Sequence, residues 1–163
     1  AGTAAGLGYY RGSYVTPAQD VAALGPEVMV AAIVEWEDKV LLVDDGQGGL
    51  TLPQAKVGRE GATATIDRLL AQLGVTAQSG MIYAVYEDRA KGHQNIALRC
   101  PASDGAHAQG QFVAQGNAAI GALRDPALRE MMLRLGRERT MGNYGIYYGD
   151  ADQGRVMSLG APS

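Results

Sequence analysis

Seven consecutive residues, Val28-Met29-Val30-Ala31-Ala32-Ile33-Val34, are apolar without interruption and rich in β-branched side chains. Successive side chains of a strand point to opposite faces of a sheet, so a strand with no polar alternation must be covered on both sides. That requirement rules out a one-sided sheet. It calls for a sheet covered on both faces, which with the helices of the remaining chain makes the class α/β (α+β), and the 163 residues suffice for one such domain with its own core.

The remaining chain supplies the layers. Glu37-Asp38 makes a tight turn into Lys39-Val40-Leu41-Leu42-Val43, giving a hairpin. A loop over 44–49 leads to a short strand, Leu50-Thr51-Leu52, closed by Pro53. Ile66, Leu69, Leu70 and Leu73 recur at helical spacing, and Gly74 stands where a helix end favours positive φ. Strands are expected over 81–87 and 95–100, joined by a polar loop, with another at 111–114. Asp125 as N-cap and Pro126 at the first helical position open a second helix, which turns Leu128, Met131, Met132 and Leu135 inward and ends near Arg139. Residues 144–148 and 155–159 form a terminal hairpin. The expected organisation is a lead-in over 1–26, a domain over 27–140 and a C-terminal extension over 141–163. The high glycine count, 23 residues, agrees with many turns.

Leu52-Pro53-Gln54-Ala55-Lys56-Val57 leading into Asp67-Arg68-Leu69-Leu70-Ala71-Gln72-Leu73-Gly74-Val75 resembles the Nudix hydrolase superfamily, within an element order that covers roughly 28–139. The resemblance implies a Nudix-like α/β/α sandwich with a mixed sheet. It also implies cleavage of diphosphate derivatives with Mg²⁺ or Mn²⁺ held by helix carboxylates. The signature carrying those carboxylates is broken here. Counted back from Gly74 and Val75, the family's Glu-Glu pair falls on Ala71 and Gln72, and its Arg-Glu pair on Asp67 and Arg68. The family's first Glu falls on Arg59 without gaps, or has its nearest remnant in Glu60 if the loop is shorter. Mg²⁺ demands oxygen ligands in near-octahedral array. Alanine offers none, an amide only a neutral oxygen, and Arg68 a permanent positive charge.

The expectation is a catalytically degenerate Nudix-like domain with no metal and no catalytic residue. It would bind a nucleotide-like or phosphorylated small ligand, or govern an attached flavin-dependent domain. Lys56, Arg59 and Arg68 are candidate anion-binding residues, since an Arg fork suits phosphate and carboxylate, and Tyr86 is a candidate stacking surface. Two alternatives stay open. One is an active hydrolase cleaving a nucleoside diphosphate derivative with Mg²⁺ through the displaced carboxylates Glu60 and Asp67. The other is a non-catalytic module for homodimerisation. Tyr83 and Tyr86, three apart on one strand, are expected on opposite faces, and Trp36 reads equally as packing or as a ligand platform.

Gly6-Leu7-Gly8-Tyr9-Tyr10-Arg11-Gly12-Ser13-Tyr14 resembles the closing stretch of flavin-reductase-like domains. With the lead-in and the missing initiator Met, it suggests a piece of a longer protein, with FMN or FAD bound only through a partner domain. His93 and His107 lack metal-ligand spacing, and no nucleophile elbow, phosphate loop or dinucleotide fingerprint occurs. A net charge of −3 and a pI near 5.3 argue against nucleic-acid binding. No apolar run approaches the roughly 20 residues that span a bilayer. Cys100, alone and within an apolar strand, reads as a small core residue of a reducing, cytoplasmic compartment.

Overall fold

The computed structural model describes residues 26–78, 80–115, 118–121, 123–150 and 155–160. The segment of tyrosines at 6–14 lies outside them. In chain order the elements are β1 (Glu27–Trp36), β2 (Lys39–Asp44), β3 (Leu50–Thr51), β4 (Gln54–Lys56), α1 (Gly61–Leu73), β5 (Thr76–Ala77), β6 (Met81–Asp88), β7 (His93–Asp104), β8 (Gln111–Ala114), α2 (Ala118–Gly121), α3 (Pro126–Met141), β9 (Ile146–Asp150) and β10 (Arg155–Gly160).

One mixed sheet runs β10-β9-β6-β7-β1-β2-β3, with β4 on β1, β5 on β7 and β8 on β2. The β1–β7 and β6–β9 pairs are parallel and the others antiparallel. The apolar run is the centre of this arrangement: Val30 through Val34 are at most 1% exposed. Alternation divides it between two cores. Ala31 and Ile33 join Leu128, Met131, Met132 and Leu135 of α3, while Val30, Ala32 and Val34 join Ile66, Leu69, Leu70 and Leu73 of α1. The sheet therefore lies between two helices, as the unbroken apolar strand demands.

Turn chemistry closes the elements. Glu37 and Asp38 both take positive φ, 53° and 63°, as a two-residue hairpin with right-handed twist requires. The α1 helix ends on Gly74 at φ 74°. The Asp125 side chain accepts the Ala127 backbone N–H at 2.9 Å to cap α3, which ends on Gly142 at φ 73°.

One expectation is corrected. Tyr83 and Tyr86 do not lie on opposite faces; both enter the α3-side core. The β6–β7 register shifts between Ile82 and Ala84, so Tyr83 is an extra residue opposite the partner strand. Such a bulge turns its side chain onto the face that Ala84 and Tyr86 already occupy. The strands of the terminal hairpin also do more than pair with each other, because β9 lies parallel to β6 and extends the same sheet.

Candidate functional site: a charged cleft at one end of the sheet

The position where the resemblance implies a metal holds an ion pair. Arg68, in the second turn of α1, places Nη1 3.2 Å from Glu60 Oε1, and the Thr65 hydroxyl donates to the same oxygen at 2.8 Å. The Thr65 hydroxyl, the local backbone N–H and the Arg68 guanidinium hold the Glu60 carboxyl below its ordinary range. Its Oε1 is thus already engaged. Asp67 is exposed on the same helix. Ala71 and Gln72 complete the place where ligating carboxylates would be needed. Among the described residues no group of three His, Cys, Asp or Glu could hold a metal ion. This donor set does not fit Mg²⁺.

The structure separates the anion-binding candidates. Lys56, on β4, pairs with Glu27 across the sheet at 2.6 Å. Arg59 is exposed in the loop before α1, next to Glu60. Arg68 is committed to Glu60. Tyr86 belongs to the other core, against α3, and among the described residues its electrostatic neighbours are Asp125 and Asp88. No contact joins it to the three cations.

Asp88 and Asp125 mark a cleft that the sequence reading did not assemble. A cavity of about 450 Å³ opens between the β2–β3 loop, the β6–β7 loop and the start of α3, with Asp45, Asp88, Lys91, Arg124 and Asp125 as its charged wall. Asp45 is clamped by the backbone N–H groups of Gln47 (2.7 Å) and Gly49 (3.0 Å) and faces Arg124 Nε at 3.8 Å. Those contacts hold its carboxyl below the usual range. Asp88 accepts the Lys91 backbone N–H at 3.2 Å, and its other oxygen is 4.0 Å from Lys91 Nζ. The Arg124 guanidinium also donates to the Gln47 carbonyl. Tyr86 lies two residues before Asp88 on the same face of β6. Burial, then the Asp125 and Asp88 charges, push its phenol well above the ordinary value, so it stays protonated.

At the opposite end of the sheet, Glu35 is gripped by Arg99 (3.0 Å) and by Arg139, which also meets Asp38 at 3.3 Å. Arg99 lies over the Tyr144 ring at 3.7 Å. This network ties the end of α3 to β1 and β7. Trp36 packs edge-on against Phe112, ring centroids 5.2 Å apart, so its role in this structure is packing. Cys100 is buried, and desolvation raises its thiol to about 11. Among the described residues no helix is long and apolar enough to cross a membrane.

No protein-family profile matches the chain. By sequence it is 34% identical over 158 residues to the reductase component of a flavin-dependent trigonelline monooxygenase from Acinetobacter baylyi, covering 95% of this chain and 51% of that protein. It is 36% identical over 159 residues to a probable flavin reductase of Rhizobium meliloti, covering 94% and 50% respectively. The chain therefore spans about half the length of these relatives. By structure it superposes on a Nudix hydrolase from Nitrosomonas europaea with a TM-score of 0.67 at 20% identity, over 77% of this chain and 78% of that one. The fold of this chain is Nudix-like, and its sequence is similar to about half the length of two flavin reductase proteins.

Proposed function

We propose that the chain is a non-hydrolytic Nudix-like module that binds a small ligand in the charged cleft and thereby governs a flavin-reducing domain of a longer polypeptide. The observation that carries this reading is the Glu60–Arg68 ion pair. A guanidinium bonded to the one nearby loop carboxylate occupies the helix face from which a hydrolase would offer its metal oxygens. The similarity to flavin reductase components supports the regulatory half of the proposal, with FMN or FAD chemistry belonging to the other part of such a protein.

The test is direct. The purified protein is incubated with Mg²⁺ or Mn²⁺ and with ADP-ribose, NAD and FAD, and phosphate-bearing products are followed by chromatography. No turnover is expected. Turnover abolished by Glu60→Gln would establish the alternative, a working diphosphate hydrolase with displaced carboxylates. Assembly is the third reading, and its observation is the exposure of Met81 (64%), Ile82 (46%) and Ile146 (47%) where β6 and β9 begin. A dimer by light scattering, with no ligand raising the thermal midpoint, would favour it.

A further inference from the structure

The charges of the cleft say what its ligand must carry. Three carboxylates and two cations line it, and they are not equally available. Both oxygens of Asp45 are engaged, by two backbone N–H groups and by Arg124. Asp125 accepts the Ala127 N–H through Oδ1 alone, and Asp88 has only the distant Lys91 ammonium on its Oδ2. Tyr86, 8% exposed, lies behind the cleft wall, near enough to Asp125 and Asp88 to feel both charges. A largely buried carboxylate with an unfilled lone pair is costly unless something meets it. That something must donate hydrogen bonds or carry positive charge. Lys91 and Arg124 stand at the rim with side chains 60% and 54% exposed, able to swing onto an anion. A diphosphate placed here would face three carboxylates with two partly committed cations, and the like charges oppose it.

We propose that the cleft takes a compact organic zwitterion, its cationic centre against Asp88 and Asp125 and its carboxylate on Arg124 or Lys91. This rests on the ligand-binding reading above and narrows it from nucleotide-like compounds to a molecule of both signs. Apolar neighbours at Leu50, Ala90 and Pro126 leave room for a ring between the two charges.

A matched series tests it by calorimetry on the intact chain: 4-(trimethylammonio)benzoate as zwitterion, phenyltrimethylammonium as cation alone, benzoate as anion alone, and ADP. The zwitterion is expected to bind tightest, about tenfold or more above either half, with ADP weakest. Asp88→Asn should weaken the zwitterion and the cation alike, whereas Arg124→Gln should weaken the zwitterion and leave the cation unchanged. Amide NMR shifts confined to residues 45–51, 88–91 and 124–127 would place the ligand independently of any variant's stability. Tighter binding of ADP, shifting those same amides, overturns the zwitterion and leaves the binding module standing. Absence of binding by the whole series overturns the zwitterion outright, and only Glu60-dependent turnover overturns the non-hydrolytic reading.

Discussion

A buried carboxylate survives inside this core because two phenols donate to it. Glu138, 4% exposed on α3, accepts the Tyr83 hydroxyl at 2.7 Å through one oxygen and the Tyr147 hydroxyl through the other. Arg134, one helical turn earlier, lies over the Tyr147 ring at 4.0 Å and 5.6 Å from the Tyr83 ring centroid. Burial and the Glu138 contact push the Tyr83 phenol far above its ordinary value, so it remains a donor throughout the physiological range. Glu138→Gln keeps the shape but replaces one acceptor oxygen with an N–H₂ group facing a phenol. The expected cost is about 1–3 kcal/mol in urea unfolding, the penalty of an unsatisfied buried polar group. Wild-type stability in Glu138→Gln would show that the two tyrosines do not depend on the carboxylate.

Two helix ends allow conformation and crowding to be told apart. Gly74 and Gly142 close α1 and α3 at nearly the same φ, 74° and 73°. A Cβ on Gly142 meets nothing within 4 Å, whereas one on Gly74 would stand 2.9 Å from the His107 carbonyl oxygen. Gly142→Ala should therefore cost only the left-handed penalty, about 1–2 kcal/mol, and Gly74→Ala measurably more. Equal thermal shifts in the two variants would mean that the His107 loop yields freely. Both ends were legible in the sequence or nearly so: Gly74 directly, and α3 through Asp125 and Pro126, with its end two residues past the expected Arg139. The apolar run, the Glu37-Asp38 hairpin and α1 were legible for the same reason, since burial leaves a periodic imprint on local sequence. The bulge at Tyr83 was not, because an inserted residue leaves the apolar pattern of 81–86 unchanged. Nor was the parallel β6–β9 pairing, which joins segments some sixty residues apart. The cleft escaped for a related reason. Asp45, Asp88 and Arg124 come from three separate connections, and nothing in the periodicity of the flanking elements tells which connections converge. Tyr86 could be singled out as a strand tyrosine, and Asp125 as a cap, but not as neighbours.

At the scale of the whole molecule, one strand belongs to two cores. Ile33 faces the α3 side, among Leu128, Met131 and Leu135, while Val34, its neighbour, faces the α1 side. The Arg139–Glu35–Arg99 network fastens the end of α3 to that strand, and the cleft lies at the other end of the helix. The two layers cannot separate without exposing β1, so unfolding should be a single cooperative event. The chain's one tryptophan makes this testable, because Trp36 packs on Phe112, itself packed against the α1-side core. Ile33→Ala opens a cavity only on the α3 side and should cost about 2–5 kcal/mol. If the cores are coupled through β1, Trp36 fluorescence and far-UV circular dichroism will lose the same denaturant midpoint in that variant and remain superimposable. A fluorescence midpoint that stays at the wild-type value while the helical signal moves would show that α3 can detach on its own. On the regulatory reading proposed above, detachment would let ligand binding beside the helix N-terminus act by releasing or seating the helix, whereas coincident transitions would leave only displacement of the sheet and its loops as one body.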